Sequence, residues 1–133
     1  MKGSPPTSTM NNILGLGTDI LEISRFKETL DKHGQKFLDK VFSPKEQEYC
    51  RRYQDPTSRF AVRFAAKEAV AKALGTGFGK HLSFQDIEIL NDPSGKPSVL
   101  LSPAAAAHFD NPTFHLSLSH SHHYATATAL ALH

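Results

Sequence analysis

Hydrophobic positions change rhythm along this chain, and the changes mark its elements. Ile13 to Ile20 is a short apolar run interrupted by Gly15 and Gly17, which predicts a buried strand ending at Asp19. Ile23, Phe26 and Leu30 then recur at helical spacing, and Gly34 is placed to close that helix. Phe37, Leu38 and Val41 predict a further short apolar turn. Ser43-Pro44-Lys45-Glu46 is a helix start, with a serine cap, a proline at the first helical position and the glutamate of a capping box. That helix is expected to run to about Tyr53 and to break at Asp55-Pro56.

Phe60 to Leu74 is the longest helical pattern, dense in alanine and stopped by Gly75. Phe84 to Leu90, with Ile87 and Ile89 alternating, predicts a strand. Asp92-Pro93-Ser94-Gly95 turns the chain back through a partner strand at Ser98–Leu101. Ser102-Pro103 caps a short helical turn over Ala104–Phe109, closed by Asp110-Asn111-Pro112. Phe114, Leu116 and Leu118 alternate as a strand, and Thr and Ala alternate after Tyr124 as another. Strand, then helices, then strands implies an α+β fold, not a βαβ repeat.

Residues 1–12 are rich in Ser, Thr, Pro and Asn without periodicity, and read as an extension before one domain over 13–133. The opening has no apolar segment of the signal-peptide kind, and no apolar run is long enough for a spanning helix. Fifteen Lys and Arg against thirteen Asp and Glu leave +2, without the basic excess of a nucleic-acid binder. A lone cysteine, Cys50, closes no internal disulfide and builds no thiolate zinc site, so a reducing cytoplasm is expected.

Glycine-rich stretches fail the phosphate motifs they suggest. Ile20 stands where a dinucleotide fingerprint begun at Gly15 needs its third glycine, and Leu74 stands where a Walker A loop needs its first. The charged positions of the alanine-rich helix carry more. Arg59, Arg63 and Lys67, spaced i, i+4, i+8, make one basic ridge. Glu68 precedes Lys72 by four residues, the favourable order for an ion pair. Two readings stand: a solvated helix face, or a cradle in which cations meet a polyphosphate and a carboxylate holds Mg²⁺. Asp19 is either a helix N-cap or a second carboxylate for that metal. His120 is either a polar turn residue or a ligand contact. With His122 and His123 it also admits a zinc-binding module, although no cysteine supplies the rest of such a site.

Three stretches together carry a resemblance: Gly17-Thr18-Asp19-Ile20, then Phe64-Ala65-Ala66-Lys67-Glu68-Ala69 with Lys72, then Ser117-Leu118-Ser119-His120. In this order and spacing the chain resembles the 4'-phosphopantetheinyl transferases of the short holo-[acyl-carrier-protein] synthase type. Gly75-Thr76-Gly77, Leu82 to Ile87 and Gly95-Lys96-Pro97 extend the likeness from Ile13 to about Leu132. The resemblance implies the α+β fold of that family, a long alanine-rich helix packed on an antiparallel sheet. It implies transfer of phosphopantetheine from coenzyme A to a serine of acyl carrier protein, in fatty acid biosynthesis. It further implies Asp19 and Glu68 on Mg²⁺, phosphate contacts from Arg63, Lys67, Lys72 and His120, and Gly75 backbone beside coenzyme A. Glu68, directly or through a metal-bound water, would be the base, and Mg²⁺ and Lys72 would answer charge on the leaving group. Arg25 would dock the acidic carrier, and the active sites of a homotrimer would lie between subunits. Neither nucleic acid nor a membrane enters this reading.

Overall fold

The computed structural model describes residues 12–133, so nearly all of the expected 1–12 extension lies outside the described residues. The chain opens with β1 (Ile13–Glu22), followed by the helices α1 (Ile23–Val41), α2 (Pro44–Arg51) and α3 (Pro56–Ala73). A 3-10 turn at Phe84–Asp86 leads into a hairpin of β2 (Ile87–Asn91) and β3 (Pro97–Leu101). The short helix α4 (Pro103–His108) and the strands β4 (Thr113–His120) and β5 (Tyr124–Leu132) complete it. β1, β5 and β4 form an antiparallel sheet in that order, with Asp19 opposite Ala127 and Ala127 opposite Leu118. The arrangement is α+β, as expected.

α3 lies against this sheet, and small side chains let it come close. Ala127, Ala129 and Ala131 are fully buried on β5 and pack with Ala65, Ala66, Ala69 and Ala73 of α3, while Ala125 packs with Ala61 and Val62. Gly17 explains itself here. A Cβ on it would stand 2.0 Å from the carbonyl oxygen of Ala69, which no side chain can do. Gly15 meets Ala73 in the same way. The glycine pair is therefore a contact surface for a helix backbone.

Bulk burial comes from a second cluster, where Phe26, Phe42, Phe60 and Cys50 pack between α1, α2 and α3. Large rings bury far more apolar area than methyl groups do, so this cluster supplies much of the driving force that the alanine layer lacks.

Two sequence expectations are corrected. β1 does not end at Asp19 and is not buried throughout. It continues to Glu22 and alternates, leaving Leu16 66% and Ile20 64% exposed, because α3 covers only one face of the sheet. Gly34 does not end α1. The backbone departs from helix there (φ 58°, ψ −140°), and a kinked second segment carries on to Val41, taking in the separate apolar turn expected at Phe37–Val41. The Ser43 capping box forms as read: Ser43 Oγ accepts from Glu46 N, and Glu46 Oε1 accepts from Ser43 N.

Candidate active site

The period-2 pattern that turns Gly17 toward α3 turns Asp19 the same way, and there it meets the last turns of the helix. Lys72 Nζ lies 3.1 Å from Asp19 Oδ1 and donates to the Thr18 carbonyl at 2.9 Å. Glu68 stands beside them. Burial raises its carboxyl above the usual range, the charge of Asp19 raises it further, and Lys72 opposes both. The ion pair expected between Glu68 and Lys72 is replaced by one between Asp19 and Lys72, because β1 brings a carboxylate across from outside the helix. Asp19 caps no helix: the N-cap of α1 is Glu22, without a side-chain bond.

The donor set fits a hard divalent cation. A strand carboxylate and a helix carboxylate come near one another beside Lys72, and the charge of Asp19 disfavours ionised Glu68, which an added cation would relieve. Among the described residues, no three of His, Cys, Asp and Glu gather where one ion could bind them. The zinc alternative at His120, His122 and His123 therefore finds no ligand set. A cation needing one or two carboxylates asks for less.

The basic ridge divides. Arg63 is buried; its guanidinium stacks 4.1 Å from the Tyr49 ring centre and donates to the Asn91 side chain. Its Nε is buried and has no partner among the described residues. Arg63, Arg59, Asn91 and His120 line a cavity of about 390 Å³ whose wall includes none of Asp19, Glu68 and Lys72. Helical geometry gives the reason. At about 100° per residue, Glu68 lies roughly 140° and Lys72 roughly 180° around α3 from Arg63.

Lys67, expected among the phosphate contacts, is fully buried instead. Its ammonium lies 2.8 Å from Glu46 Oε1 and donates to the carbonyls of Val41 at 2.6 Å and Phe84 at 3.1 Å. Burial pushes it below the usual lysine range, and Glu46 works against that shift. With all three donors engaged inside the chain, Lys67 is withdrawn from the cradle.

Gly75 ends α3 with a positive φ of 86°, its N–H on the Lys72 carbonyl at 3.0 Å, and nothing lies within 4 Å of where its Cβ would be. His120 ends β4, exposed, at the mouth of the Arg63 cavity. Arg25 is exposed on the first turns of α1, lining a groove of about 630 Å³ with Ile20, Phe26, Lys32 and Phe37. Sequence reasoning missed Tyr49 and Asn91. Asn91 reaches Arg63 across twenty-eight residues, and no local spacing signals such a contact.

Comparison with known proteins places the chain in a family. Residues 15–130 match the family described as the 4'-phosphopantetheinyl transferase superfamily. A holo-[acyl-carrier-protein] synthase of Protochlamydia amoebophila is 52% identical over 117 residues, covering 88% of this chain and 96% of that protein. The crystal structure of the synthase from Neisseria meningitidis superposes with a TM-score of 0.85 at 35% identity, covering 91% of this chain and 99% of that one. The Helicobacter pylori synthase in complex with coenzyme A gives 0.81 at 37% identity, covering 87% and 98%.

Proposed function

Because this chain belongs to the 4'-phosphopantetheinyl transferase superfamily, we infer that it moves the 4'-phosphopantetheine arm of coenzyme A onto a serine of apo acyl carrier protein. The products are holo carrier and adenosine 3',5'-bisphosphate. The observation that carries the residue assignment is the meeting of Asp19, Glu68 and Lys72 across β1 and α3.

Asp19 and Glu68 would hold Mg²⁺ at the coenzyme A diphosphate, where it would neutralise phosphate charge. The carrier serine Oγ forms a bond to the phosphorus bearing the pantetheine arm, and the bridging P–O bond to the adenosine 5'-phosphate breaks. Glu68, directly or through a water on the metal, would receive the serine proton. Among the described residues, Lys72 has two of its three donors engaged, at Thr18 and Asp19, which leaves one for the departing oxygen. Arg63 and His120 meet phosphate in their own cavity, and the Gly75 backbone lies open to coenzyme A. Arg25 faces the acidic carrier from α1.

The two faces of α3 support active sites shared between chains. Arg63 and Glu68 point in directions that one ligand on one chain cannot easily join. The outer sheet face exposes Leu16, Ile20 and Tyr124, suited to a homotrimer contact. No helix among the described residues is long and apolar enough to cross a membrane. Work on a carrier for fatty acid biosynthesis in the cytoplasm completes the reading.

Mass spectrometry of apo carrier incubated with coenzyme A, Mg²⁺ and this chain tests it. The carrier serine is expected to gain the phosphopantetheine mass. No gain, while a characterised synthase modifies the same carrier, overturns the proposal.

A further inference from the structure

α3 aims Arg63 to one side and Glu68 to the other, so its rotation about its own axis controls both. Its contact with β5 is alanine on alanine, a smooth surface that resists approach more than rotation. The angle is left to longer side chains: Phe60 in the aromatic cluster, Lys72 on Thr18 and Asp19, and Lys67. Lys67, between Arg63 and Glu68 in sequence, is a long, fully buried side chain that ends in directional bonds. Its three acceptors come from three separate places: Glu46 in the first turn of α2, Val41 at the end of α1, and Phe84 in the 3-10 turn.

Glu46, 1% exposed, is anchored in turn. Oε1 also accepts from Ser43 N at 2.8 Å, and Oε2 accepts from Ile89 N of β2 at 2.7 Å. The pair thus triangulates α3 against α1, α2, the 3-10 turn and β2. Stability alone does not call for this, because apolar side chains of similar volume often serve a core as well as a buried ion pair does. What the charges add is direction.

We propose that Glu46 and Lys67 are positioning residues that set the rotation of α3, and through it the aim of Glu68 toward Asp19 and of Arg63 into its cavity. This rests on the roles given to Glu68 and Arg63 above. Neither Glu46 nor Lys67 touches substrate.

The test replaces the pair with apolar residues of similar size, Glu46→Leu with Lys67→Met, in the full chain. Calorimetric titration with coenzyme A, without carrier and at graded Mg²⁺, reads binding apart from turnover. A cooperatively folded double variant is expected to bind coenzyme A about tenfold more weakly and to need about tenfold more Mg²⁺ for its effect, because misplacement by about 1 Å is costly at such sites. Both constants within about twofold of the parent would overturn the proposal and leave the pair a stabiliser only, whatever happens to the melting temperature. Should the double variant fail to fold, Glu46→Asp keeps both charges and shortens the arm by one methylene. The same two constants should then rise about two- to threefold, and unmoved constants count against the proposal. Transfer to apo carrier by the parent is run alongside. A silent parent removes the functional reading itself, whereas an active parent with unmoved variant constants removes only this inference.

Discussion

Glu68 carries a conflict between folding and chemistry. Its carboxyl is raised by burial and by Asp19, so the native state keeps a proton over a pH range where the unfolded chain has released it. The metal-free protein therefore loses stability as pH rises through that range. Glu68→Gln should melt higher than the parent near pH 8 without metal, at about the same temperature near pH 4, and should lose transfer activity. Scanning calorimetry at both pH values checks the order of melting. Added Mg²⁺ should reverse the order at the higher pH, since the variant has lost one of the two carboxylates that would hold it. Lys72 gives the complementary case. Half exposed and paired on the surface with Asp19, it contributes at most about 1 kcal/mol to folding. Lys72→Met is expected to cost about 100-fold in turnover, the scale of one lost charge stabiliser, with a much smaller change in coenzyme A affinity. Equal loss in both constants would make Lys72 a ground-state contact.

Among the elements, β1 and α3 depend most on each other. Gly17→Ala forces a methyl group against the Ala69 carbonyl, so helix and strand must separate. Destabilisation by about 1–3 kcal/mol is expected from urea unfolding, as for other overpacked contacts. Asp19, two residues on, should move away from Glu68 as well. The sequence made much of this level readable. The Ser43 box, the alanine-rich helix and the alternation of β4 and β5 follow from local rules, because caps and periodicity act over a few residues. The close contact of Gly17 was not readable, since a partner more than fifty residues away decides it. Lys67 misled for the same reason. Helical spacing aligns it with Arg59 and Arg63, but only the fold shows Glu46 waiting inside. Asp19, Glu68, Lys72 and His120 were candidates by spacing and position, and a resemblance carried by three short stretches gave them roles; Tyr49 and Asn91 lay outside those stretches.

At the scale of the molecule, α3 separates the Arg63 cavity from the Asp19, Glu68 and Lys72 cluster. If cavity and cluster are halves of different active centres of a trimer, two inactive variants should repair one another. Asp19→Ala supplies an intact Arg63 face and Arg63→Ala an intact Asp19 face. Exchanged subunits mixed in equal amounts should recover about a quarter of the parent rate, the chance that an interface receives both intact halves. A carrier-modification assay before and after subunit exchange measures this, and no recovery would return both faces to one chain. The arrangement also has a genetic meaning. In such a trimer, a subunit damaged on both faces of α3 would spoil the two sites it borders, although it is one chain of three. Expressed beside the normal copy, such an allele would silence more sites than its share of the protein and behave as dominant, whereas an allele that fails to fold would be merely recessive.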